Sequence, residues 1–271
     1  MIHLFLYSTG TAEDVAFARP IVRRLHESGR CRITLGACRD HGELLRDFAD
    51  AGITLLLSDA VCAPHGAPLD LAYLAPVGAV PIDTSFRQYD DTRAYDWRDA
   101  IEVLDRQLAA VGLDPMLEFD ERDVPMLDFA ADVDVPALAR PSIWVENRFV
   151  ADRFGYFAFD LGRLARTFRS FDFLCTRNPH VDEPNVLGVA ELTPIQHSKL
   201  SERCELLLGM TRFPFCLTLT ETNRLKPKAM CGYDPRTTPL FWDYAENPLE
   251  ILATMDAVVD FVASNLVERV R

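Results

Sequence analysis

Apolar and polar residues follow two patterns along the first sixty positions of the chain. Short apolar runs are typical of buried strands, and apolar side chains at every third or fourth position are typical of one face of a helix. Gly29 follows the first helical stretch and is expected to end it. The pattern predicts strands at 2–7, 31–36 and 53–57, with helices between them at 11–28 and 41–51. Strands separated by helices indicate βαβ units and a parallel sheet.

The middle of the chain is less regular. Residues 58–92 are rich in proline, glycine and aspartate, and only a short strand at 77–82 is predicted there. An amphipathic helix at 97–111 follows. Residues 112–141 contain four prolines and eight acidic side chains. This composition is typical of an irregular connection between domains.

Strand and helix patterns restart after this connection. Strands are predicted at 142–146, 171–175, 185–189 and 205–208, helices at 159–167 and 194–203, and a final amphipathic helix at 248–265. Residues 215–224 fit either a helix or a strand. Two successive alternations predict an α/β fold with two Rossmann-like domains facing a cleft, at 1–139 and 140–271.

The charge of the chain is uneven along its length. The net charge is −13 over 271 residues. Residues 1–139 carry −12, residues 140–236 carry +3, and the remainder carries −4. The acidic total argues against nucleic acid or an anionic membrane as the main partner. The locally basic region 140–236 is where an anionic ligand is best tolerated, although chance clustering on solvated helix faces is an equal alternative.

Neither a membrane span nor an export signal is expected from the sequence. The apolar runs are shorter than the 18 or so residues that a spanning helix needs. The first residues are apolar without a preceding basic region, so they predict a core strand in a cytoplasmic protein. The seven scattered cysteines are expected to be reduced and largely buried. Cys62 and His65 have ligand-like spacing, but a second pair is lacking, so a metal site is not expected.

Asp14 is the first candidate for chemistry. It follows the first predicted strand and a glycine-containing turn, at the edge where parallel sheets bind ligands. A carboxylate there can act as general base toward a hydroxyl. The alternative is a carboxylate that only stabilises the helix dipole. The turn has one glycine where the dinucleotide-binding fingerprint has three, so NAD binding is disfavoured.

Two further candidates lie in the basic region. The turn Gly209-Met-Thr-Arg212 follows a predicted strand and could present backbone N–H groups and a guanidinium to a phosphate. The cations that follow it are Arg224, Lys226 and Lys228. The alternative is an ordinary turn followed by a solvated basic loop. Val145-Glu-Asn-Arg148 ends another predicted strand, and Arg148 could pair with a ligand phosphate or form an interdomain salt bridge.

Residues 8–15, Ser-Thr-Gly-Thr-Ala-Glu-Asp-Val, and Pro20 resemble the N-terminal motif of the two-domain GT-B glycosyltransferases, in particular the ADP-heptose-using heptosyltransferase type. That family has a small-residue turn leading to Gly-Asp-Val, with a proline six residues after the aspartate. Residues 206–214 lie where the family places the strand and turn that receive the donor diphosphate. The helix predicted at 248–265 resembles the C-terminal helix that packs back on the first domain in this fold.

The resemblance implies a cytoplasmic, inverting and metal-independent glycosyltransferase of cell-surface polysaccharide biosynthesis. Its donor would be a nucleotide-diphosphate sugar, a co-substrate rather than a cofactor, and its acceptor a sugar, lipid-linked or protein hydroxyl. Asp14 would be the general base. The donor would be held by Arg148, Gly209, Thr211 and Arg212.

Two departures from the family pattern keep other functions open. Glu13 stands where the family has glycine, and the Gly209 turn lacks the Asp-Ser/Thr-Gly form. These departures favour a catalytically silent GT-B-like protein that binds a sugar, a nucleotide or a partner protein. A nucleotide-sugar epimerase or hydrolase on the same fold is the other alternative.

Overall fold

The computed structural model divides the chain into two compact units, Met1–Ala131 and Asp132–Arg271. The division falls inside the proline-rich segment 112–141. Each unit is built on one parallel sheet. The residues that the structure describes are 1–8, 12–59, 71–84, 97–113, 127, 133–147, 157–210, 215–232 and 249–267.

The first unit contains a four-stranded sheet with the order β3-β2-β1-β4. Its strands are β1 (Ile2–Tyr7), β2 (Cys31–Ala37), β3 (Thr54–Leu57) and β4 (Val80–Asp83), and its helices are α1 (Ala12–Glu27), α2 (Arg46–Asp50) and α3 (Trp97–Ala110). The parallel pairing predicted for the first three strands is confirmed. The helix predicted at 41–51 is a 3-10 helix, Arg39–Leu45, followed by α2. Gly42 lets the 3-10 segment approach β3, since a Cβ there would lie 2.6 Å from Leu57 Cδ1.

Helix α1 buries its predicted apolar face together with one arginine. The buried apolar residues are Val15, Ala18, Ile21, Val22 and Leu25. Arg19 is fully buried, and its guanidinium forms two hydrogen bonds to the Asp47 carboxylate, at 2.8 and 2.5 Å. It also donates to the Leu44 carbonyl and lies 4.5 Å from the centroid of the Phe48 ring. A positive φ of 64° at Gly29 follows the helix, as expected for its C-terminal stop.

The second unit contains a six-stranded sheet with the order β10-β9-β8-β5-β6-β7. Its strands are β5 (Ser142–Glu146), β6 (Asp172–Cys175), β7 (Val186–Gly188), β8 (Leu206–Gly209), β9 (Lys228–Cys231) and β10 (Glu250–Leu252), and its helices are α4 (Leu161–Thr167), α5 (Pro194–Ser201) and α6 (Met255–Val267). Every pairing in it is parallel. Both units therefore have the Rossmann-like architecture that the sequence predicts.

Side chains of β5 alternate between two layers of the second unit. Ile143 and Val145 lie in the core cluster that α4 and α6 cover. The ring of Trp144 instead packs against Phe215 on the opposite face, with centroids 6.0 Å apart. Helix α6 contributes its buried residues, including Phe261, to the first of these layers. That α6 packs back on the first domain stays a prediction.

Two regions of the second unit differ from the sequence prediction. Residues 215–224 contain two short 3-10 helices, Cys216–Thr218 and Glu221–Asn223. The predicted helix at 248–265 is wrong in its first part, which forms strand β10, and α6 begins only at Met255. Thr254 fixes this start, because its hydroxyl accepts a hydrogen bond from the Ala257 N–H at 3.2 Å.

Candidate functional site

The carboxyl ends of β5 and β8 meet at the point where the second sheet reverses its order. The chain adds β6 and β7 on one side of β5 and then β8, β9 and β10 on the other. Glu146 and Gly209, the last residues of β5 and β8, are partners in register. Open parallel sheets bind ligands at such a switch point. We call the residues Glu146, Asn147, Gly209 and Met210 the β5–β8 edge.

Glu146 places a fully buried carboxylate at the β5–β8 edge. Its Oε2 accepts a hydrogen bond from the Met210 N–H at 3.0 Å, and the same N–H also reaches the Glu146 main-chain oxygen at 3.1 Å. A buried carboxylate needs such donors because desolvation of an ion is costly. The first N–H beyond β8 is therefore engaged by the protein itself.

Gly209 is required by packing beneath this edge. A Cβ at this position would lie 2.5 Å from Phe215 Cδ2 and 3.0 Å from the sulfur of Met230. The Phe215 ring thus occupies the space that a side chain at 209 would fill. This accounts for the glycine without any contact to a ligand.

Asn147 ties the end of β5 to the end of β6. Its side-chain oxygen accepts from the Arg177 N–H at 2.9 Å, and its Nδ2 donates to the Arg177 carbonyl at 3.1 Å. On the other side of the sheet edge, Gly232 follows β9 with a φ of 86°, and a Cβ there would meet the Phe157 ring at 2.8 Å. Side-chain bonds and close packing therefore hold the strand ends on both sides of the switch point.

The field of Glu146 extends to the end of β9. Burial raises the pKa of the Cys231 thiol, and the carboxylate of Glu146 raises it further. Cys231 is the last residue of β9 and is buried. This thiol therefore stays neutral.

The switch point of the first sheet lies between β1 and β4. Thr84 follows β4 and binds the Tyr7 carbonyl through its N–H at 2.9 Å and its hydroxyl at 3.1 Å. The hydroxyl of Ser8, just after β1, is buried and has no hydrogen-bond partner among the described residues. Asp14 lies in the first turn of α1, as predicted, but its side chain is outside the described residues.

The cations that follow the Gly209 turn in sequence do not lie at the β5–β8 edge. Lys228 is the first residue of β9, at the amino end of the strand, and is buried. Its Nζ donates to the carbonyls of Arg224 and Lys226 at 2.7 and 3.0 Å. The Nζ of Lys226 donates to the Glu202 carbonyl at 2.5 Å, beyond the end of α5. The interpretation of this segment as a solvated basic loop is wrong, because these ammonium groups bind main-chain carbonyls.

The residues predicted from sequence for the donor site fall only partly within the described ranges. Arg148, Thr211 and Arg212 lie outside the described residues. Gly209 is at the predicted strand end. Glu146 was not among the residues predicted from sequence for the site, although it belongs to the motif Val145-Glu-Asn-Arg148. The signal that could have found it is a carboxylate closing a strand whose other residues are buried.

The cysteines depart from expectation at one position. Cys38 is disulfide-bonded, so the expectation of a reduced thiol is wrong there. The free cysteines of the described ranges are buried: Cys31, Cys175, Cys204, Cys216 and Cys231. Within the same ranges, no group of three or more histidine, cysteine or acidic side chains could hold a metal ion.

Comparison with solved structures gives matches over the whole chain, although no protein-family model and no curated protein matches the sequence. The E. coli heptosyltransferase WaaC with ADP is 9% identical, with a TM-score of 0.58 over 97% of this chain and 100% of that one. A glycosyl transferase family 9 protein from Veillonella parvula is 11% identical, with a TM-score of 0.62 over 98% of both chains. A putative UDP-N-acetylglucosamine 2-epimerase from Listeria monocytogenes is 11% identical, with a TM-score of 0.51 over 99% of this chain and 89% of that one.

The fold is therefore that of the GT-B glycosyltransferases, and it resembles the heptosyltransferases among them. Among the helices that the structure describes, none has the length and apolar character to cross a bilayer.

Proposed function

We propose that the chain is a glycosyltransferase that moves a sugar from a nucleotide-diphosphate sugar to a hydroxyl acceptor. The observation that carries the proposal is the match along the full length of WaaC, a heptosyltransferase described with ADP. A second description of WaaC contains ADP-2-deoxy-2-fluoro heptose, with a TM-score of 0.56. Ligands of this class in a protein of the same fold support a nucleotide-sugar donor here.

The donor site of the proposal is the β5–β8 edge, with Arg148, Thr211 and Arg212 supplied by the segments that follow β5 and β8. Backbone N–H groups beyond a strand, together with guanidinium groups, suit a diphosphate. They would also stabilise the charge that develops on the leaving diphosphate. The proposal therefore needs no divalent metal.

Asp14 is the general base of the proposal, at the edge of the first sheet. Its carboxylate would take the proton of the acceptor hydroxyl, whose oxygen then bonds to the anomeric carbon of the donor sugar. The bond from that carbon to the diphosphate oxygen breaks, and the nucleoside diphosphate leaves with the bonding electrons. Attack opposite the leaving group inverts the anomeric configuration. The proposal places this reaction in the cytoplasm, on a sugar, lipid-linked or protein acceptor.

A thermal-shift panel of ADP-, UDP-, GDP- and CMP-sugars tests the donor. We expect one of the ADP-, UDP- and GDP-sugar series to raise the melting temperature, since a ligand that binds only the folded state stabilises it. CMP-sugars carry a single phosphate, and stabilisation by them alone would contradict a diphosphate donor. Stabilisation by none of the four series would contradict the proposal and favour the silent binding protein.

The variant Asp14→Asn tests the base. We expect unchanged donor affinity and a fall in turnover of about a hundredfold or more, because the amide cannot accept the proton. Donor affinity is measured by titration calorimetry and turnover by release of nucleoside diphosphate with acceptor present. Full turnover in this variant would exclude Asp14 from the mechanism.

An epimerase or hydrolase is the second candidate, favoured by the match to the putative UDP-N-acetylglucosamine 2-epimerase. Such an enzyme would convert the donor without any acceptor. Rapid consumption of the nucleotide sugar by the protein alone would replace the transferase proposal with this one.

A further inference from the structure

We propose that the disulfide of Cys38 joins it to Cys62, and that this bond is a redox-sensitive tie between the carboxyl end of β2 and the segment that follows β3. The proposal goes beyond the proposed function and does not depend on it. It concerns the edge at which the first sheet would bind a ligand, because open parallel sheets bind ligands at the carboxyl ends of their strands.

The number of cysteines leaves one partner for Cys38 within the chain. The sequence contains seven cysteines. Cys38 is disulfide-bonded, five others are free thiols, and the seventh is Cys62. Since a disulfide joins two cysteines, Cys62 is the remaining partner.

Cys62 also follows closely on a residue that is held beside Cys38. The guanidinium Nε of Arg39, the residue after Cys38, lies 3.3 Å from a carboxylate oxygen of Asp59. Cys62 is three residues beyond Asp59, and three residues of extended chain span at most about 11 Å. A disulfide needs Cα atoms about 4.4–6.8 Å apart. The segment after Asp59 is therefore long enough to bring Cys62 to Cys38 with β3 in place.

The ends of β2 and β3 stay paired without the disulfide. Ala37 and Leu57, their last residues, are partners in register, and the Ser58 N–H donates to the Ala37 carbonyl at 3.1 Å. The ion pair of Arg39 and Asp59 is exposed on both sides, at 68% and 79%, and such pairs contribute little. The disulfide thus adds a covalent link for the chain beyond residue 59, and its reduction is expected to leave the sheet intact.

The free thiols of the chain are poor partners for redox chemistry. Burial raises the pKa of Cys31, and it raises those of Cys175 and Cys204 to about 12. The thiolate is the reactive form, so these groups stay inert near neutral pH. Cys38 is itself buried, but the two residues that follow it are exposed, so the disulfide lies at the border between interior and solvent. A change of redox conditions should therefore act on this bond and leave the free thiols unchanged.

The redox step is thiol–disulfide exchange with a small thiol such as glutathione. A glutathione thiolate attacks one sulfur of the disulfide, and the other sulfur leaves as a thiolate that takes up a proton. A second glutathione thiolate attacks the mixed disulfide, releases the first cysteine and forms glutathione disulfide. Two electrons thus pass from two glutathione molecules to the two cysteines, and glutathione disulfide reverses the reaction.

Peptide mapping of the native protein tests the pairing without any variant. After alkylation in denaturant and without reductant, trypsin should release residues 33–39 and 47–87, which contain Cys38 and Cys62 as their single cysteines. We expect mass spectrometry to find these two peptides joined. Alkylated Cys38, or Cys38 joined to another peptide, would overturn the pairing.

Hydrogen exchange of the folded protein tests the tie, in a series of buffers of reduced and oxidised glutathione. We expect the bond to open as the reduced share rises, and amides of residues 60–70 then to exchange about tenfold faster or more. Amides of β2 and β3 should keep their protection. Cys38→Ser should show the faster exchange in all buffers. Cys31→Ser is the matched control, because it removes a free cysteine at the start of the same strand and should keep the response.

Three results would overturn the proposal of a redox-sensitive tie. The first is a bond that stays closed in the folded protein at every glutathione ratio and opens only on unfolding, as expected of a purely structural disulfide. The second is unchanged exchange of residues 60–70 on reduction. The third is loss of protection throughout β2 and β3, which would show that the bond holds the sheet itself. None of these measurements uses a nucleotide sugar, so their outcome is separate from that of the proposed function.

Discussion

Lys228 gives a prediction about stability that depends on pH. Its ammonium is buried at the amino end of β9, and burial lowers its pKa from 10.5 to about 8. The two carbonyls that accept its hydrogen bonds favour the charged form. Because the pKa is nevertheless lowered, the desolvation cost of the ammonium exceeds the stabilisation that these hydrogen bonds supply. At about 1.36 kcal/mol per pKa unit, the difference between the folded and unfolded values corresponds to about 3 kcal/mol.

The sign follows from proton counting. Between pH 8 and 10.5 the unfolded chain holds a proton on Lys228 that the folded chain has lost, so this group makes the free energy of unfolding rise with pH. Below pH 8 the full cost of the buried charge is present. In the variant Lys228→Met, this contribution of Lys228 to the free energy of unfolding is absent. The difference in stability between native protein and variant should therefore change by about 3 kcal/mol from pH 7 to pH 10.5, in favour of the native protein.

Urea denaturation at pH 7, 8, 9 and 10.5 measures this difference, since other titrating groups are common to both proteins. Lys199→Met is the control variant, because it also removes one lysine. The Lys199 ammonium differs from that of Lys228 in pairing with a carboxylate, that of Glu202, at 3.3 Å near the end of α5. A stability difference between native protein and Lys228→Met that stays constant over this range would refute the reasoning.

Two further predictions concern packing and ion pairing. The variant Gly209→Ala should destabilise the fold by about 1–3 kcal/mol in urea denaturation, because the new methyl group would collide with Phe215 and Met230; unchanged stability would show that the ring can move aside. Asp47→Ala should cost about 3–5 kcal/mol in the same assay, because it removes a carboxylate that forms two hydrogen bonds to the buried Arg19 guanidinium. Replacing both partners by Arg19→Met with Asp47→Ala should recover part of that loss, and a double variant less stable than Asp47→Ala would contradict this.

The helices and strands could be predicted from sequence in those segments where a single periodicity, of helix or of strand, dominates. Strand β5 is a compact apolar run, and its predicted and observed limits coincide. Strand β10 was hidden because Leu249 and Leu252 are three residues apart, a spacing that also fits the face of the helix that follows. Strand β9 was missed because it is four residues long and begins with a lysine. A lysine predicts exposure, and only the carbonyls around Lys228 make its burial possible.

The candidate site was predictable in part, for a physical reason. Sequence alone places Gly209 and Glu146 at strand ends, because each closes an apolar run. That these two residues are partners follows from the strand order, which sequence periodicity does not contain. The cations of segment 224–228 are not part of a phosphate site at the β5–β8 edge, because they lie at the amino end of β9. Sequence periodicity alone does not show at which end of the strand they lie.

The buried pair of Arg19 and Asp47 has a consequence for Asp14. Arg19 lies a little more than one helical turn beyond Asp14 on α1. Because its guanidinium is held by residues of the segment 44–48, α1 is pinned to the rest of the first unit at that point. A sliding motion of the whole helix would break a desolvated ion pair, whereas unwinding of its first turn would leave the pair intact. The pair thus holds this part of α1 in place, and we expect main-chain movement at the proposed base to occur by local fraying of the helix end.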